Sequence, residues 1–340
     1  MLRLAHQVAR PPLRRWLLPL VVAGPALGLA LGLAAPALRS RPAWPGVPLR
    51  LLVAAAPGGA ADRIARLLQP RLAGFLGQPV LVENRAGGGG LLALQALAAA
   101  PPDGATLLLE DSSLLVPALL QRGGEPAPVQ LTGLGAVAET PMLLAVPAAS
   151  GITDVAGLLG MARMAQAPLP YGSAGLGSLG HVAGALLAAR QGLALEHVPY
   201  RGGGGIQRDL ATGRLAAGFL GSASLGPMVA AGRIRAVASS HPGGPGWLGA
   251  LPGFAGIGLQ GIEALGWHGI FTAAAAPRDL RLTLTAALGA ATADPELGRI
   301  LRGFGARPLQ PDAGGFSRRL AEAEAALRGL VREAGLAPRA

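Results

Sequence analysis

The chain has 340 residues, of which 51% are hydrophobic and 14% charged, and a formal net charge of +11. This length and hydrophobicity suffice for two folded domains and exclude a disordered chain. The sequence contains no Cys and no Lys, which excludes thiol nucleophiles, thiolate metal sites, disulfides and Schiff-base chemistry. The Arg residues are spread without a long basic run, and only 4% of the chain is aromatic. Because nucleic-acid binding depends on basic patches and stacking rings, we expect no nucleic-acid partner.

The first 37 residues have the order of a secretory signal peptide. Residues 1–16 carry four Arg and no acid, and residues 17–35 form an uncharged apolar run. Small residues at 35–37 then offer a cleavage site. An uncleaved membrane anchor is the alternative, but the Pro and Gly residues inside the run favour cleavage. Because the Arg pair at 14–15 also matches a twin-arginine signal, the sequence predicts export to the periplasm by the Sec or the Tat route.

Short apolar runs alternate with helical patterns in the first part of the predicted mature chain. Apolar runs that end at Gly or Pro predict strands, and an apolar spacing of three to four residues predicts helices. The predicted elements are a strand over 49–56, a Gly turn at 57–59, a helix to 76, a strand over 79–83, a loop over 84–90, a helix over 91–100 and a strand over 106–110. Strands that alternate with helices are typical of a parallel sheet.

The same alternation restarts after residue 147. The predicted elements are a helix over 154–164, a strand over 169–171, a Gly/Ser loop over 172–180, a helix to 190, a strand over 195–198, a helix from 205, strands over 215–220, 234–238 and 267–273, and helices over 280–292, 296–303 and 316–334. We therefore predict an α/β fold with two lobes, each a mostly parallel sheet flanked by helices. Residues 46–145 and 266–340 form the first predicted lobe, and residues 146–265 form the second.

Gly- and Ser-rich loops lie where predicted strands end and helices begin. In open α/β sheets ligands bind at this edge, where helix N-termini offer unpaired N–H groups and partial positive charge. The candidate ligand-binding residues in these loops are Pro57, Gly58, Gly59, Ser112, Ser113, Ser173, Gly175, Gly177 and Ser178. These loops could simply turn the chain, but their occurrence in both lobes favours a shared anion site that needs no basic side chain.

Other chemistries have weaker signals. The spacing Gly175-x-Gly177-x-x-Gly180 matches a dinucleotide fingerprint, but the strand before it is short and Glu196 lies inside the next strand pattern. The five His residues form no metal-binding pair, and the G-x-S-x-G nucleophile motif is absent. We therefore expect no metal, no cofactor and no enzymatic activity. An exported enzyme with a hydrolase-like α/β fold is the alternative.

Six segments of the chain resemble the substrate-binding proteins of tripartite tricarboxylate transporters, known as the Bug family. They span nearly all of the predicted mature chain and follow one another in the family's order. The segments are PLRLLVAAAPGGAAD (48–62), GQPVLVENRAGGGG (77–90), PDGATLL (102–108), YGSAGLGSLGH (171–181), HVPYRGGGG (197–205) and AGRIRAVA (231–238).

This resemblance implies a two-lobed periplasmic-binding-protein fold, the Venus flytrap, that closes on a small carboxylate. It implies that the carboxylate is held by the first Pro-Gly-Gly loop and by the second-lobe Gly-Ser loop, with help from the serines at 112 and 113. The implied partners are the membrane components of a tripartite tricarboxylate transporter. We expect the binding protein itself to be a monomer.

The chain departs from the family pattern at three places around the expected site. Leu220-Gly221 stands where the family often has Asp-Asn, and Ala55 or Ala56 stands where an aromatic residue commonly precedes Pro-Gly-Gly. Arg201 replaces the usual Lys. These departures predict an apolar portion, rather than an amine, at the far end of the ligand.

Overall fold

The computed structural model of the protein describes residues 46–120 and 130–337, so the predicted signal peptide lies outside the described residues. Within the described residues no helix combines the length and the apolar character needed to cross a bilayer. The described strands are β1 (Leu49–Val53), β2 (Val80–Asn84), β3 (Thr106–Asp111), β4 (Leu131–Glu139), β5 (Met142–Pro147), β6 (Leu169–Ser173), β7 (Leu195–Pro199), β8 (Ala217–Gly221), β9 (Ile234–Ser239), β10 (Trp267–Ala273) and β11 (Arg307–Pro308). The described α-helices are α1 (Ala60–Leu76), α2 (Leu91–Ala98), α3 (Val116–Leu120), α4 (Val155–Met164), α5 (Leu179–Gln191), α6 (Gly203–Ala211), α7 (Ser222–Ala230), α8 (Arg278–Thr292), α9 (Pro295–Gly303) and α10 (Ala313–Glu333).

The first sheet has six strands in the order β11-β4-β10-β3-β1-β2. β1 pairs in parallel with β2 and β3, whereas β10 runs antiparallel to β3 and β4. β1 and β3 are buried along most of their length because both are nearly continuous apolar runs. Helix α1 packs on this sheet through Ile64, Leu68 and Leu72, which recur at one-turn spacing and share a core with α8. This packing fixes the carboxyl ends of β1 and β3, where two of the predicted binding loops begin.

The second sheet has five strands in the order β7-β6-β8-β5-β9. β6 runs parallel to β7 and β8, and β5 runs antiparallel to β8 and β9. Helix α5 buries Val182 and Leu186 in one core, and α6 buries Ile206 and Leu210 in another. Because α5, α6 and α7 each follow a strand of the parallel set, their N-termini start at the same edge of the sheet.

The chain passes from the first sheet to the second between β4 and β5, at residues 140–141, and returns before β10. Helix α10 then packs against α5, so the C-terminal helix joins the first part of the chain to the second. An ion pair of 2.7 Å between Arg190 on α5 and Glu333 on α10 lies at this contact. The lobe boundaries near residues 145 and 265 stay a prediction. Because β5 belongs to the second sheet, the chain leaves the first sheet at residues 140–141, slightly before the predicted boundary at 145.

The predicted two-lobed α/β fold is confirmed, but the sheets are mixed rather than mostly parallel. The antiparallel pairs are β10 with β3, β10 with β4, and β11 with β4 in the first sheet, and β5 with β8 and β5 with β9 in the second. Between residues 111 and 153 no element was predicted from the sequence, and there the structure has α3, β4 and β5. All six residues of β5 are buried, so the strand shows no alternation of polar and apolar side chains that would mark it.

Glu139, at the end of β4, binds groups from two distant segments. Its carboxylate lies 3.0 Å from His241 Nε2, in the segment after β9, and also pairs with Arg307 on β11. The hydrogen bond with His241 is the main cause that lowers the pKa of Glu139, and with the Arg307 contact it outweighs the opposing effect of burial. The pKa falls to about 2. This carboxylate therefore stabilises the junction between the sheets as long as it stays ionised.

Replacing Glu139 with Gln should lower the free energy of unfolding at pH 7 by about 2 kcal/mol, because the ionised partner of His241 and Arg307 is lost. Since the folded-state pKa lies below the ordinary value of 4.5, this stabilisation is complete above about pH 4.5 and disappears as the pH falls towards 2. Urea denaturation at several pH values between 7 and 2 measures the effect. In the control Glu296→Gln, which removes an exposed carboxylate paired with Arg299, the pH profile should stay close to that of the wild type. Identical profiles for Glu139→Gln and the wild type would contradict the assignment.

Candidate functional site

A cavity of about 140 Å³ lies between the two sheets and is lined by residues from both. Its walls are built by the carboxyl ends of β1, β3 and β8 and by the loops that precede α5 and α6. Most of the lining residues are Gly, Ala and larger apolar residues, including Leu220. The volume is below the range of about 300–1,000 Å³ that is typical of drug-sized ligands, which favours a small ligand, and the lining favours one with an apolar portion.

Four helices begin at this cavity with a Gly N-cap that makes no side-chain hydrogen bond. These N-caps are Gly59 of α1, Gly90 of α2, Gly202 of α6 and Gly221 of α7. By contrast, α4, α9 and α10 begin away from the lining, and each is capped by the side chain of an Asp. The first N–H groups of a helix have no acceptor within the helix and carry partial positive charge. The chain thus leaves helix donors without side-chain caps at the cavity, which is an arrangement suited to an anion.

The turn before α1 is held in shape by Asp62, which is only 3% exposed. Its Oδ2 accepts a 2.8 Å hydrogen bond from the Gly58 N–H, and its Oδ1 accepts bonds from Arg66 and from Asn84 Nδ2. Burial alone would raise the pKa of Asp62, but these hydrogen bonds outweigh it and keep the pKa below its usual value. Asp62 is therefore a charged anchor that fixes the Pro-Gly-Gly turn from behind the cavity.

Arg201 is the only Arg among the lining residues in the described part of the chain. It is exposed, and its guanidinium has no hydrogen bond or ion pair with another described residue. Because Arg201 lies just before α6, its positive charge adds to that of the α6 N-terminus. It is available to a ligand anion in the cavity.

The structure separates the first-lobe residues predicted from the sequence into two groups. Gly59 and Ser113 line the cavity, whereas Pro57, Gly58 and Ser112 do not. Ser112 is fully buried, and its Oγ donates a 2.7 Å hydrogen bond to the Leu265 carbonyl. Its hydroxyl therefore links the loop after β3 to the segment before β10. Ligand contact by the three residues outside the lining stays a prediction.

In the second lobe, Ser178 lines the cavity, whereas Ser173, Gly175 and Gly177 do not. Ser178 Oγ donates to Ser173 Oγ at 2.9 Å, and Ser173 Oγ lies 2.7 Å from His197 Nε2. The Gly175 N–H points to Ser173 Oγ at 3.4 Å. These groups form a hydrogen-bonded layer behind Ser178, and direct ligand contact by the members behind the lining stays a prediction.

Two His rings complete this supporting layer. The rings of His181 and His197 stack with centroids 4.1 Å apart, and His181 Nδ1 accepts from the Gly177 N–H at 3.3 Å. Burial lowers the pKa of His181, and burial followed by the charge of His181 lowers the pKa of His197 to about 4. Both rings are therefore neutral near pH 7, and His181 serves as a hydrogen-bond acceptor within the loop.

Six of the described polar residues that line the cavity were not predicted from the sequence, and three of them, Glu110, Thr140 and His268, belong together in the first sheet. They lie on neighbouring strands of the first sheet or just after them, and each is more than nine-tenths buried. Of these residues, Glu110 could have been found from the sequence, because it is an acid that directly follows the apolar residues 107–109 of β3. A charged residue at the carboxyl end of a buried strand points to a site, since such a residue is costly to bury without a function.

Residues 64–336 match the family model of the tripartite tricarboxylate transporter family receptor, TctC. A UPF0065 protein encoded in the tcbD-tcbE intergenic region of Pseudomonas sp. strain P51 is 35% identical over 308 residues, which cover 87% of this chain and 88% of that protein. The structure of R. palustris Rpa4515 with adipate is 29% identical, covers 87% of this chain and all of that one, and superposes with a TM-score of 0.81. MatC (Rpa3494) from Rhodopseudomonas palustris with bound malate is 25% identical, with coverages of 84% and 99% and a TM-score of 0.77.

Replacing Gly59 with Leu should weaken binding of small carboxylates by at least about tenfold, because the new side chain would crowd the first turn of α1 beside Ala55 in the lining. Gly59 has φ −70°, so the backbone tolerates a side chain there. The control Gly74→Leu places the same side chain on the exposed face of α1, where an added Cβ meets nothing within 4 Å. Calorimetry with the tightest acid from a thermal-shift screen measures both variants. Equal affinities for Gly59→Leu and Gly74→Leu would place the ligand elsewhere.

Proposed function

Because the chain belongs to the tripartite tricarboxylate transporter receptor family, we propose that it is an extracytoplasmic solute-binding protein that captures a small carboxylate. It presents this ligand to the membrane components of a tripartite tricarboxylate-type transporter. The observation that carries the proposal is the set of uncapped helix N-termini from both sheets at one cavity. Such donors bind an anionic oxygen more strongly than a neutral one.

The chemistry of the cavity agrees with the ligands of two similar proteins. Adipate and malate, the ligands of Rpa4515 and MatC, are both small carboxylates. The Arg201 guanidinium and the helix N-termini contribute positive charge to the lining of this cavity, and Leu220 contributes an apolar side chain. These features together support a carboxylate with an apolar portion as the ligand.

Closure of two lobes on the ligand is part of the proposal. The parts of the chain that face each other across the cavity already approach closely, because a Cβ added at Gly89 would lie 2.8 Å from the Leu176 carbonyl oxygen. Two connections between the sheets, as found here, are compatible with hinge motion. We further propose that the protein acts as a monomer in the periplasm after cleavage near residue 37.

A hydrolase is the competing function, and one contact favours it at first sight. Ser173 Oγ lies 2.7 Å from His197 Nε2, a distance that is typical of a nucleophile and its base. However, Ser173 is fully buried, lies outside the cavity lining and already bonds Ser178. The low pKa of His197, about 4, also makes it a weak base. This pair therefore supports the loop and favours a binding function.

The function is tested by calorimetry of small mono-, di- and tricarboxylates beside their primary amides, on protein purified without its leader. We expect carboxylates to bind at least about tenfold more tightly than the matching amides, because the helix N-termini stabilise negative charge. We also expect the bound acid to be recovered unchanged and the radius of gyration in solution scattering to decrease on binding. Tighter binding of the amides, or turnover of the acids or their esters that is lost in Ser173→Ala, would contradict the proposal.

A further inference from the structure

The loop before α2 consists of four consecutive glycines at residues 87–90, here called the glycine loop. Their φ angles are 139°, 59°, 60° and 94°, a run of positive values that residues with a Cβ rarely adopt. Gly87, Gly89 and Gly90 line the cavity, whereas Gly88 does not. The glycine loop therefore forms part of the cavity wall on the side of the first sheet.

The loop between β6 and α5, on the side of the second sheet, meets the glycine loop main chain to main chain. A Cβ added at Gly89 would lie 2.8 Å from the Leu176 carbonyl oxygen and 3.2 Å from the Gly177 carbonyl carbon. Leu176 is 61% exposed, so most of its side chain lies outside this contact. Because main-chain atoms shift less readily than the far end of a side chain, the contact leaves no room for a side chain at position 89.

The loop on the side of the second sheet has little freedom to move aside. The Ser178 N–H donates to the Gly175 carbonyl at 3.1 Å, and the Gly177 N–H donates to His181 Nδ1 at 3.3 Å. Its other side lies against α3, because a Cβ added at Gly177 would be 3.6 Å from Leu120 Cδ1. This loop is therefore seated between the glycine loop and α3.

The glycine loop is also held on its own side. A Cβ added at Gly90 would lie 2.7 Å from Glu110 Oε2, an oxygen that has no hydrogen-bond partner among the described residues. Burial, and after it the charge of Asp111, raises the pKa of Glu110 well above its usual value, so a neutral carboxyl group packs against the loop. The Gly90 N–H donates to the Gly87 carbonyl at 3.2 Å. The two loops therefore meet as two supported surfaces.

Gly88 and Gly89 have similar backbones but different surroundings. The φ angle is 59° at Gly88 and 60° at Gly89, so an added side chain is strained in a similar way at either position. Among the described residues, a Cβ added at Gly88 would meet only Leu91, at 3.2 Å, within the same segment. A requirement for positive φ would make both positions equally sensitive to substitution, whereas the second loop restricts position 89 alone.

We propose that Gly89 is the residue at which the cavity shuts: its main chain fits against that of Leu176 when the protein closes on its ligand, and this fit sets how slowly the ligand leaves. The inference rests on the proposed function, since it assumes closure on a bound carboxylate. Gly89 acts through the fit of the two loops, so it is a positioning residue and needs no hydrogen bond to the ligand. A methyl group at position 89 would keep the loops apart and leave the ligand a path to solvent.

The test compares Gly89→Ala and Gly88→Ala with the wild type in stopped-flow binding experiments. The probe is the tightest binder among acetate, butanoate, malate, adipate and citrate. Gly89→Ala should raise its dissociation rate by at least about tenfold, because a methyl group forced between supported main-chain surfaces destabilises the shut form. The association rate should stay within about twofold, because the ligand enters the open form. Gly88→Ala should keep both rates within about threefold of the wild type.

Further measurements separate the fit of the loops from general damage to the fold. In solution scattering, saturating probe should reduce the radius of gyration of the wild type and of Gly88→Ala but not that of Gly89→Ala. Melting temperatures without probe should be alike in these two variants, because they share the positive φ. Gly202→Ala supplies a second variant, since a Cβ there would lie 3.0 Å from the Cβ of Ala56 on the side of the first sheet, and it should also raise the dissociation rate.

Three results would overturn this inference. Equal dissociation rates for Gly88→Ala and Gly89→Ala would show that positive φ alone explains the glycine at position 89. Weaker binding by Gly89→Ala with full compaction would show that the methyl group crowds the ligand and not the opposite loop. Binding to the wild type without any compaction would remove the closure on which the inference depends, while capture of a carboxylate would stand. If the wild type binds none of the probes, the proposed function fails together with the inference.

Discussion

Four helices from both sheets begin at one cavity with glycine N-caps, and the rest of the structure keeps these helix starts there. A helix normally satisfies its first N–H groups with a capping side chain, as α4, α9 and α10 do with Asp. At the cavity four N-caps are glycines, which offer no side-chain oxygen and let a ligand approach the main chain closely, and only α5 has a side-chain cap, from Ser178. A glycine N-cap costs a helix only a few tenths of a kcal/mol relative to a polar one, so several glycine N-caps at one place are a small cost that a bound anion can offset.

The supporting residues explain why this arrangement survives without a ligand. Asp62 fixes the turn before α1 from behind, and the hydrogen-bonded layer of Ser173 and His197 holds Ser178 at the start of α5. Some residues that were predicted to touch the ligand, such as Ser173, therefore also shape the loop. Ser112 is another case, since its hydroxyl is used by the Leu265 carbonyl. Ser178 serves both purposes, because it caps α5 and also lines the cavity.

Sequence patterns predicted the parallel part of each sheet and the loops at its carboxyl edge, because apolar runs alternating with helical periods and Gly-rich turns are local signals. They did not predict β4 and β5, because their partners are distant in the chain: β4 pairs with β10 and β11, and β5 pairs with β8 and β9. For the same reason the analysis missed Thr140 and His268, which reach the cavity only through that pairing. Glu110 was within reach of the sequence, as an acid at the end of a buried strand, whereas its raised pKa and its free oxygen depend on the folded surroundings.

A crystal structure of the protein with its tightest carboxylate is the most direct test of this account, since it locates the anion against the helices. The account predicts carboxylate oxygens within about 3 Å of first-turn N–H groups of α1 and of at least one of α6 and α7. It also predicts that the ligand extends from there along the wall that contains Leu220. A carboxylate bound to Arg201 alone, with the first turns of these helices occupied only by water, would contradict it.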